Sequence, residues 1–281
     1  MTHIDRPHIV GHRGLGKNPI VPMEVAAENR PASFQLGFAA GMNGTELDMH
    51  APAGARHWSE IVVRHDTTLP DGRLVFDCGL SELREQYGLP TLPEVLAAIP
   101  RRTRGYPTLL NLEAKTGWDQ EETVGDRVDR RIADLLTTGL GDLAKVYDLR
   151  VSTFDPELVA MLRQRDPDRK AGRLAWFTED KPGFRTHSPD MAAAIRTAQQ
   201  LGMDGIHAET GLFGLGTGAR PAEADVAVSA AAGAAREAGL YALAWCPEPA
   251  EALTLLRHGV DVCVNQVPET IRLAREAGVW G

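Results

Sequence analysis

The stretch Gly44-Thr45-Glu46-Leu47-Asp48-Met49-His50 reads as a short buried strand that carries two carboxylates. Side chains alternate along a strand, so Glu46 and Asp48 point to the same side. Two adjacent anions repel, and leaving both charged in an apolar core is costly. A divalent cation held by oxygen ligands resolves the conflict. The competing reading is a pair of surface carboxylates on an edge strand, and Glu-x-Asp alone does not choose between the two.

Before this stretch, His8-Ile9-Val10-Gly11 forms a brief apolar strand that ends in His12-Arg13-Gly14. A His and an Arg at a strand's end suggest a site at its carboxyl edge, with Gly14 and Gly16 letting the backbone bend sharply. A basic loop is the alternative. A loop from Lys17 to Ala27 leads to Glu28-Asn29-Arg30-Pro31. Asn29 is predicted to cap a helix that carries Pro31 in its first turn and runs to about Ala40.

After His50 the pattern turns irregular, until Ile61-Val62-Val63 ends in Arg64-His65-Asp66. Residues 49 to 66 are predicted to form a β-excursion above the barrel that returns His65 towards Glu46 and Asp48. A short helix around Leu80 to Tyr87 completes a small insertion, about residues 51–90. Thr91 with Glu94 three residues on is a capping box and predicts a helix over Leu92 to Ile99. The strand Leu109 to Lys115 follows, with Asn111, Glu113 and Lys115 on one face.

From there short apolar strands alternate with helices to the end. Eight barrel strands are expected near residues 9, 46, 112, 149, 174, 206, 243 and 262. Repeated βα units imply a parallel sheet, and eight favour a closed TIM (β/α)8 barrel in the α/β class, one domain over residues 1–281. An open doubly wound sheet fits less well, because polar residues follow strands throughout the chain and not at one switch point. No GxGxxG follows the first strand and no P-loop occurs, so nucleotide binding has no support.

Composition sets outer bounds. The chain has 281 residues, 43% hydrophobic and 24% charged, which is ordinary for a soluble globular protein. Its net charge of -8 argues against non-specific nucleic-acid binding. Three cysteines, Cys78, Cys246 and Cys263, lie far apart with no CxxC spacing, which fits a reducing compartment and no disulfide framework. No signal-peptide pattern opens the chain and no apolar run approaches a membrane span. The expected location is cytoplasmic, without stable membrane insertion.

In a barrel the polar strand ends His12, Arg13, Glu46, Asp48, His65, Glu113, Lys115 and Trp245 converge on the carboxyl face. Three carboxylates suit a hard cation such as Mg²⁺ or Ca²⁺. Arg13 and Lys115 suit a phosphate, and two histidines suit proton transfer near neutral pH. Together they point to metal-assisted phosphodiester cleavage.

At these residues the chain resembles the glycerophosphodiester phosphodiesterases, PI-PLC-like phosphodiesterase TIM barrels with a small insertion. The resemblance runs through His12-Arg13-Gly14, Glu28-Asn29, Glu46-Leu47-Asp48, His65-Asp66, Leu112-Glu113-Ala114-Lys115 and Ser152-Thr153-Phe154, then the Trp245 strand and Gly259-Val260-Asp261. It implies metal ligands at Glu46, Asp48 and Glu113, with one divalent cation, Mg²⁺ or Ca²⁺. It implies acid/base histidines at His12 and His65, and phosphate contacts from Arg13 and Lys115. Glu28 would be a further ligand or a carboxylate just behind the ligands, and Trp245 would pack the alcohol part of the substrate. The implied reaction is hydrolysis of a small glycerophosphodiester to an alcohol and glycerol 3-phosphate, in lipid and glycerol metabolism.

The opening Gly11 to Gly16 looks like the subgroup that includes glycerophosphocholine enzymes. The chain departs from the family in lacking an Arg-Thr-Thr run after His65-Asp66, and in carrying Asn265 and Cys246 where Asp and Thr are common. The alternatives are phospholipase D-type cleavage of choline lysophospholipids and a non-catalytic phosphate-ligand binding barrel.

Overall fold

The computed structural model describes residues 7–17, 27–116, 122–168, 172–179, 186–216 and 220–281. Most of the predicted loop between Lys17 and Ala27 lies outside them. The chain opens with strand β1 (Ile9–Gly11), helix α1 (Pro31–Ala40) and β2 (Gly44–His50). Between β2 and the next barrel strand come β3 (Val62–Val63), α2 (Leu80–Tyr87), α3 (Leu92–Leu96) and a hairpin of β4 (Arg102–Thr103) and β5 (Tyr106–Pro107). Regular alternation follows: β6 (Leu109–Ala114), α4 (Glu122–Gly139), β7 (Asp148–Thr153), α5 (Pro156–Arg165), β8 (Arg173–Thr178), α6 (Met191–Gln200) and β9 (Gly205–Glu209). The chain ends with α7 (Pro221–Glu237), β10 (Tyr241–Trp245), α8 (Pro249–Arg257), β11 (Asp261–Val264) and α9 (Val267–Glu276).

Strands β1, β2, β6, β7, β8, β9, β10 and β11 pair in parallel, and β1 pairs with both β2 and β11, so the sheet closes. The fold is the TIM (β/α)8 barrel. Local sequence explains its elements. Asp155 and Asp190 accept hydrogen bonds from the first turns of α5 and α6, satisfying donors that a helix start leaves open. Thr91 and Glu94 form the expected capping box, Thr91 N–H donating to Glu94 at 2.8 Å. Helix α3 stops at Leu96, three residues short of the predicted end. Outward-facing strand residues such as Ile9, Leu47, Leu112, Val151 and Ile206 join helix residues in one large buried core. The β-excursion holds: β3 runs antiparallel to the end of β2, pairing Met49 with Val63. A smaller core of Val62, Leu69, Val75, Cys78, Leu83 and Leu89 packs beneath this segment. Among the described residues no helix is long and apolar enough to cross a membrane.

The helix before β2 differs from expectation. Its N-cap is Arg30, with no side-chain cap, and Asn29 lies one residue outside in the left-handed region, at φ 60°. The Asn29 amide is drawn elsewhere, as described below.

The barrel interior is layered. At the amino-terminal end Arg150 meets Asp261 at 2.7 Å, Arg173 meets Asp148 at 2.5 Å, and His8 donates its backbone N–H to Asp261 at 2.7 Å. The Arg150 guanidinium lies over the Tyr241 ring at 4.1 Å. Above this plug, Val10, Leu109, Leu243 and Cys263 form an apolar plate. The functional residues stand on the far side of it.

Removing one partner of a buried ion pair leaves the other uncompensated. Asp261→Asn should therefore destabilise the protein by about 3 kcal/mol, read from urea unfolding at neutral pH. Arg150 and His8 hold the Asp261 pKa below its ordinary value despite burial. Its charge stabilises the fold above the unfolded carboxylate pKa of about 4 and stops doing so as pH falls towards the folded one. The gap between wild type and variant should shrink only below about pH 4.

Candidate active site at the carboxyl mouth of the barrel

Register decides which side chains meet. Asp48 pairs with Glu113 across β2 and β6, and Glu46 pairs with Asn111. The same inward phase places all three carboxylates at the barrel mouth, where Glu46, Asp48 and Glu113 offer oxygens within 4.8 Å of one another. All three residues are buried.

The loop after β1 supplies their first counter-charges. Arg13 sits at φ 54°, a conformation that turns both its main chain and its side chain inward. Its N–H donates to Glu46 Oε2 at 2.8 Å, while its guanidinium contacts Asp48 at 3.4 Å and Glu28 at 2.9 Å. Gly16 fixes the loop from the other side. A Cβ there would lie 2.1 Å from the Asn265 carbonyl oxygen, and φ is already +79°, so only glycine fits. Lys115, just past β6, places its ammonium 2.9 Å from Asp48 and in direct contact with Glu113. Asn29 donates to Asp48 Oδ2 at 2.8 Å and accepts from the Asp48 N–H at 3.3 Å.

These neighbours sort the carboxylates. Burial acts against the Asp48 charge, but Lys115, Arg13, His65 and the Asn29 amide outweigh it and hold its pKa below the ordinary carboxylate range. Burial, reinforced by repulsion from Asp48 and Glu113, pushes Glu46 well above it. Glu46 Oε1 is buried and has no hydrogen-bond partner among the described residues. With all three carboxylates ionised, Lys115 and Arg13 leave an excess of negative charge to which Glu28 adds, and the raised Glu46 pKa is the metal-free site's response to it. An orphaned carboxylate oxygen where three carboxylates converge fits a hard divalent cation. Glu46, Asp48 and Glu113 are the residues able to hold one. Glu28 lies behind them, on Arg13.

The two histidines come from separate segments, His12 from the end of β1 and His65 from the excursion that follows β2. His12 Nδ1 lies 2.6 Å from Asn265 Oδ1 and 3.6 Å from the Cys246 thiol. Its Nε2 faces Glu46 Oε2 at 3.9 Å. Burial lowers the His12 pKa, but Cys246 and Asn265 more than offset it, and the net shift is upward. His65, on the loop after β3, holds Asp66 Oδ1 through Nδ1 at 2.8 Å. His12, Arg13, Glu46, His65, Glu113, Lys115 and Trp245 all line a single cavity of about 300 Å³. Asp48, wholly buried, lies behind it.

The structure adds residues that sequence reasoning did not assign. Asn29 and Asn265 orient Asp48 and His12, and Asn111, Phe154, Phe177 and His207 extend the cavity wall. Asn111 had a signal in its phase with Glu113 on one strand face, and Asn29, Phe154 and Asn265 stood in the stretches compared with the resembled family without a site role, while Phe177 and His207 had none.

Fold and site together define a TIM barrel with a carboxylate-centred pocket at its carboxyl mouth. No protein-family model matches the sequence, and comparison with curated proteins finds no match. Solved structures do match. The glycerophosphodiester phosphodiesterase of Thermotoga maritima superposes with a TM-score of 0.63 at 20% identity, over 95% of this chain and 98% of its own. A glycerophosphodiester phosphodiesterase of Parabacteroides distasonis gives 0.67 at 18% identity, over 98% and 99%. That of Agrobacterium tumefaciens gives 0.59 at 17%, over 94% and 98%. At these identities the likeness establishes the fold, and the barrel is of the kind those proteins share.

Glu46→Gln removes one of three crowded charges with little change of shape. The metal-free variant should melt about 2 °C higher, equivalent to roughly 1 kcal/mol. The rise in melting temperature on adding Mg²⁺ or Ca²⁺ to wild type should largely vanish in it. Differential scanning calorimetry with and without chelator measures both. An undiminished metal-induced rise would remove Glu46 from the ligand set.

Proposed function

We propose that this chain is a metal-dependent glycerophosphodiester phosphodiesterase that releases an alcohol and glycerol 3-phosphate. The observation that carries this reading is the content of one cavity: Glu46 and Glu113 backed by Asp48, the cations Arg13 and Lys115, and the two imidazoles of His12 and His65. The solved barrels of the same fold that are named glycerophosphodiester phosphodiesterases agree with it.

Glu46, Asp48 and Glu113 would hold the cation, Mg²⁺ or Ca²⁺. When bound, it supplies positive charge against the phosphoryl oxygens as negative charge builds there. Arg13 and Lys115 supply the fixed positive charge that draws in a diester anion, Arg13 through the edge of its planar guanidinium. Trp245 packs the alcohol.

Proton transfer falls to the histidines. Asn265 Oδ1 accepts from His12 Nδ1–H, which leaves Nε2 facing the cavity. Asp66 accepts from His65 Nδ1–H and likewise frees that ring's Nε2. One imidazole takes the proton of the attacking hydroxyl, which is water or the substrate's own glycerol hydroxyl; in the second case a cyclic phosphate forms, and water opens it to glycerol 3-phosphate in a second step of the same kind. The other protonates the departing alkoxide oxygen. Electrons move from the attacking oxygen to phosphorus and from the broken P–O bond to the leaving oxygen.

His12→Ala and His65→Ala should each lower kcat on a glycerophosphodiester by about 10²–10⁴-fold. With a nitrophenyl leaving group, which needs little protonation, the variant lacking the acid should regain most of its rate and the variant lacking the base should not. Equal losses on both substrates in both variants would reject this division of roles. Tight phosphate binding without turnover, in wild type supplied with either metal, would instead mark a binding barrel.

A further inference from the structure

The cavity takes in more than the reacting centre. Towards β8, β9 and β10 its wall is aromatic. Phe154 stacks on Phe177 with centroids 4.2 Å apart and planes inclined by 3°, and Trp245 meets the two at 6.3 and 6.5 Å, nearly perpendicular. His207, from the middle of β9, completes the lining below them. Its ring stands edge-to-face against Phe177 at 5.1 Å and lies 5.9 Å from Tyr241. His207 is fully buried, and among the described residues neither ring nitrogen has a hydrogen-bond partner. Asn111 Oδ1, on the same cavity, is also without one among the described residues.

Buried polar atoms are normally paired, so unmet ones on a cavity wall call for a partner, such as a water, an ion or a polar group of a ligand. Burial, helped by Arg150, lowers the His207 pKa to about 3. At working pH the ring is neutral, with one N–H donor and one nitrogen acceptor. Below it the charges cancel, Arg150 and Arg173 against Asp261 and Asp148. The floor therefore offers no net negative charge to a cationic group.

We propose that His207, with Asn111, reads a hydroxyl on the alcohol half of the substrate, so that the preferred leaving alcohol is small, uncharged and hydroxylated, of the glycerol type. This rests on the phosphodiesterase reading. A hydroxyl can both donate and accept, so it pairs with a neutral imidazole and with an amide oxygen. A trimethylammonium group has neither donor nor acceptor and leaves both unmet. A plain alkyl alcohol does the same. The aromatic wall covers the carbon skeleton, and the floor checks for the hydroxyl. A site built to bond a hydroxyl rejects analogues that lack it, because its own polar atoms are then left unpaired.

The test uses three diesters with a common glycerophospho half: glycerophosphoglycerol, glycerophosphocholine and glycerophosphopropanol. Wild type and His207→Phe are compared by release of glycerol 3-phosphate. Phenylalanine keeps a ring against Phe177 and Tyr241 but carries no nitrogen. Wild type should favour glycerophosphoglycerol over glycerophosphopropanol in kcat/KM by about tenfold or more. In His207→Phe that ratio should collapse towards one, mainly through KM, and His207→Asn should restore part of it. A ratio unchanged in His207→Phe, or a wild-type preference for the choline ester, would overturn the proposal and leave His207 facing water alone. Melting temperatures show whether each variant folds. Should wild type cleave none of the three with Mg²⁺ or Ca²⁺, the catalytic reading fails by itself. Calorimetric binding of glycerophosphoglycerol then decides: affinity weakened about tenfold in His207→Phe keeps the hydroxyl-reading role, and equal affinity removes it.

Discussion

Three carboxylates inside one end of a closed barrel set terms that the surrounding chain has to meet. Their mutual repulsion and their distance from bulk water both oppose burial. The chain answers with a main-chain N–H and a guanidinium from Arg13, an ammonium from Lys115 and an amide from Asn29. Three of these four groups come from two residues in the left-handed region, Arg13 at 54° and Asn29 at 60°. Such conformations cost of order 1–3 kcal/mol for a residue other than glycine, and they persist because the carboxylates hold them. Asn29 N–H also donates to the Arg13 carbonyl at 3.0 Å, tying the two strained residues together. The geometry of the mouth is thus an electrostatic compromise fixed in backbone form.

The amino-terminal end solves the opposite problem. There the charges are balanced within the protein, Arg150 and Arg173 against Asp148 and Asp261, and no added ion is needed. The plate of Val10, Leu109, Leu243 and Cys263 separates the balanced end from the unbalanced one. His207 stands near this boundary, with the aromatic wall above it and the balanced pairs below. The neutral floor and the charged mouth give the cavity two chemically distinct ends.

Much of this was legible before any coordinates. Strand and helix periods, the Thr91–Glu94 capping box and the in-phase pair Glu46 and Asp48 depend on neighbours a few residues away, and local signals report them well. Asn29 shows where that stops. An Asn close before a proline at a helix start looks like a cap, and its actual partner, Asp48, is 19 residues distant. His207 was opaque for a related reason. Gly-Ile-His-Ala-Glu reads as an ordinary strand, and whether its His faces inward depends on registers with Phe177 and Leu243. The pairing of Arg150 with Asp261 likewise requires the barrel to be closed before it exists.

That closure has a consequence for how the molecule is made. His8 and Asp261, which meet at the seam between β1 and β11, are 253 residues apart in the chain. At typical elongation rates of about 5–20 residues per second, β1 waits roughly 13–50 s for its second neighbour. Throughout that interval the nascent sheet has open edges, the feature that templates mispairing between chains. Contacts of such long sequence separation also form late once synthesis is complete. Of the barrel strands, the one that carries His12 at its end is therefore the first to leave the ribosome and among the last to be sealed.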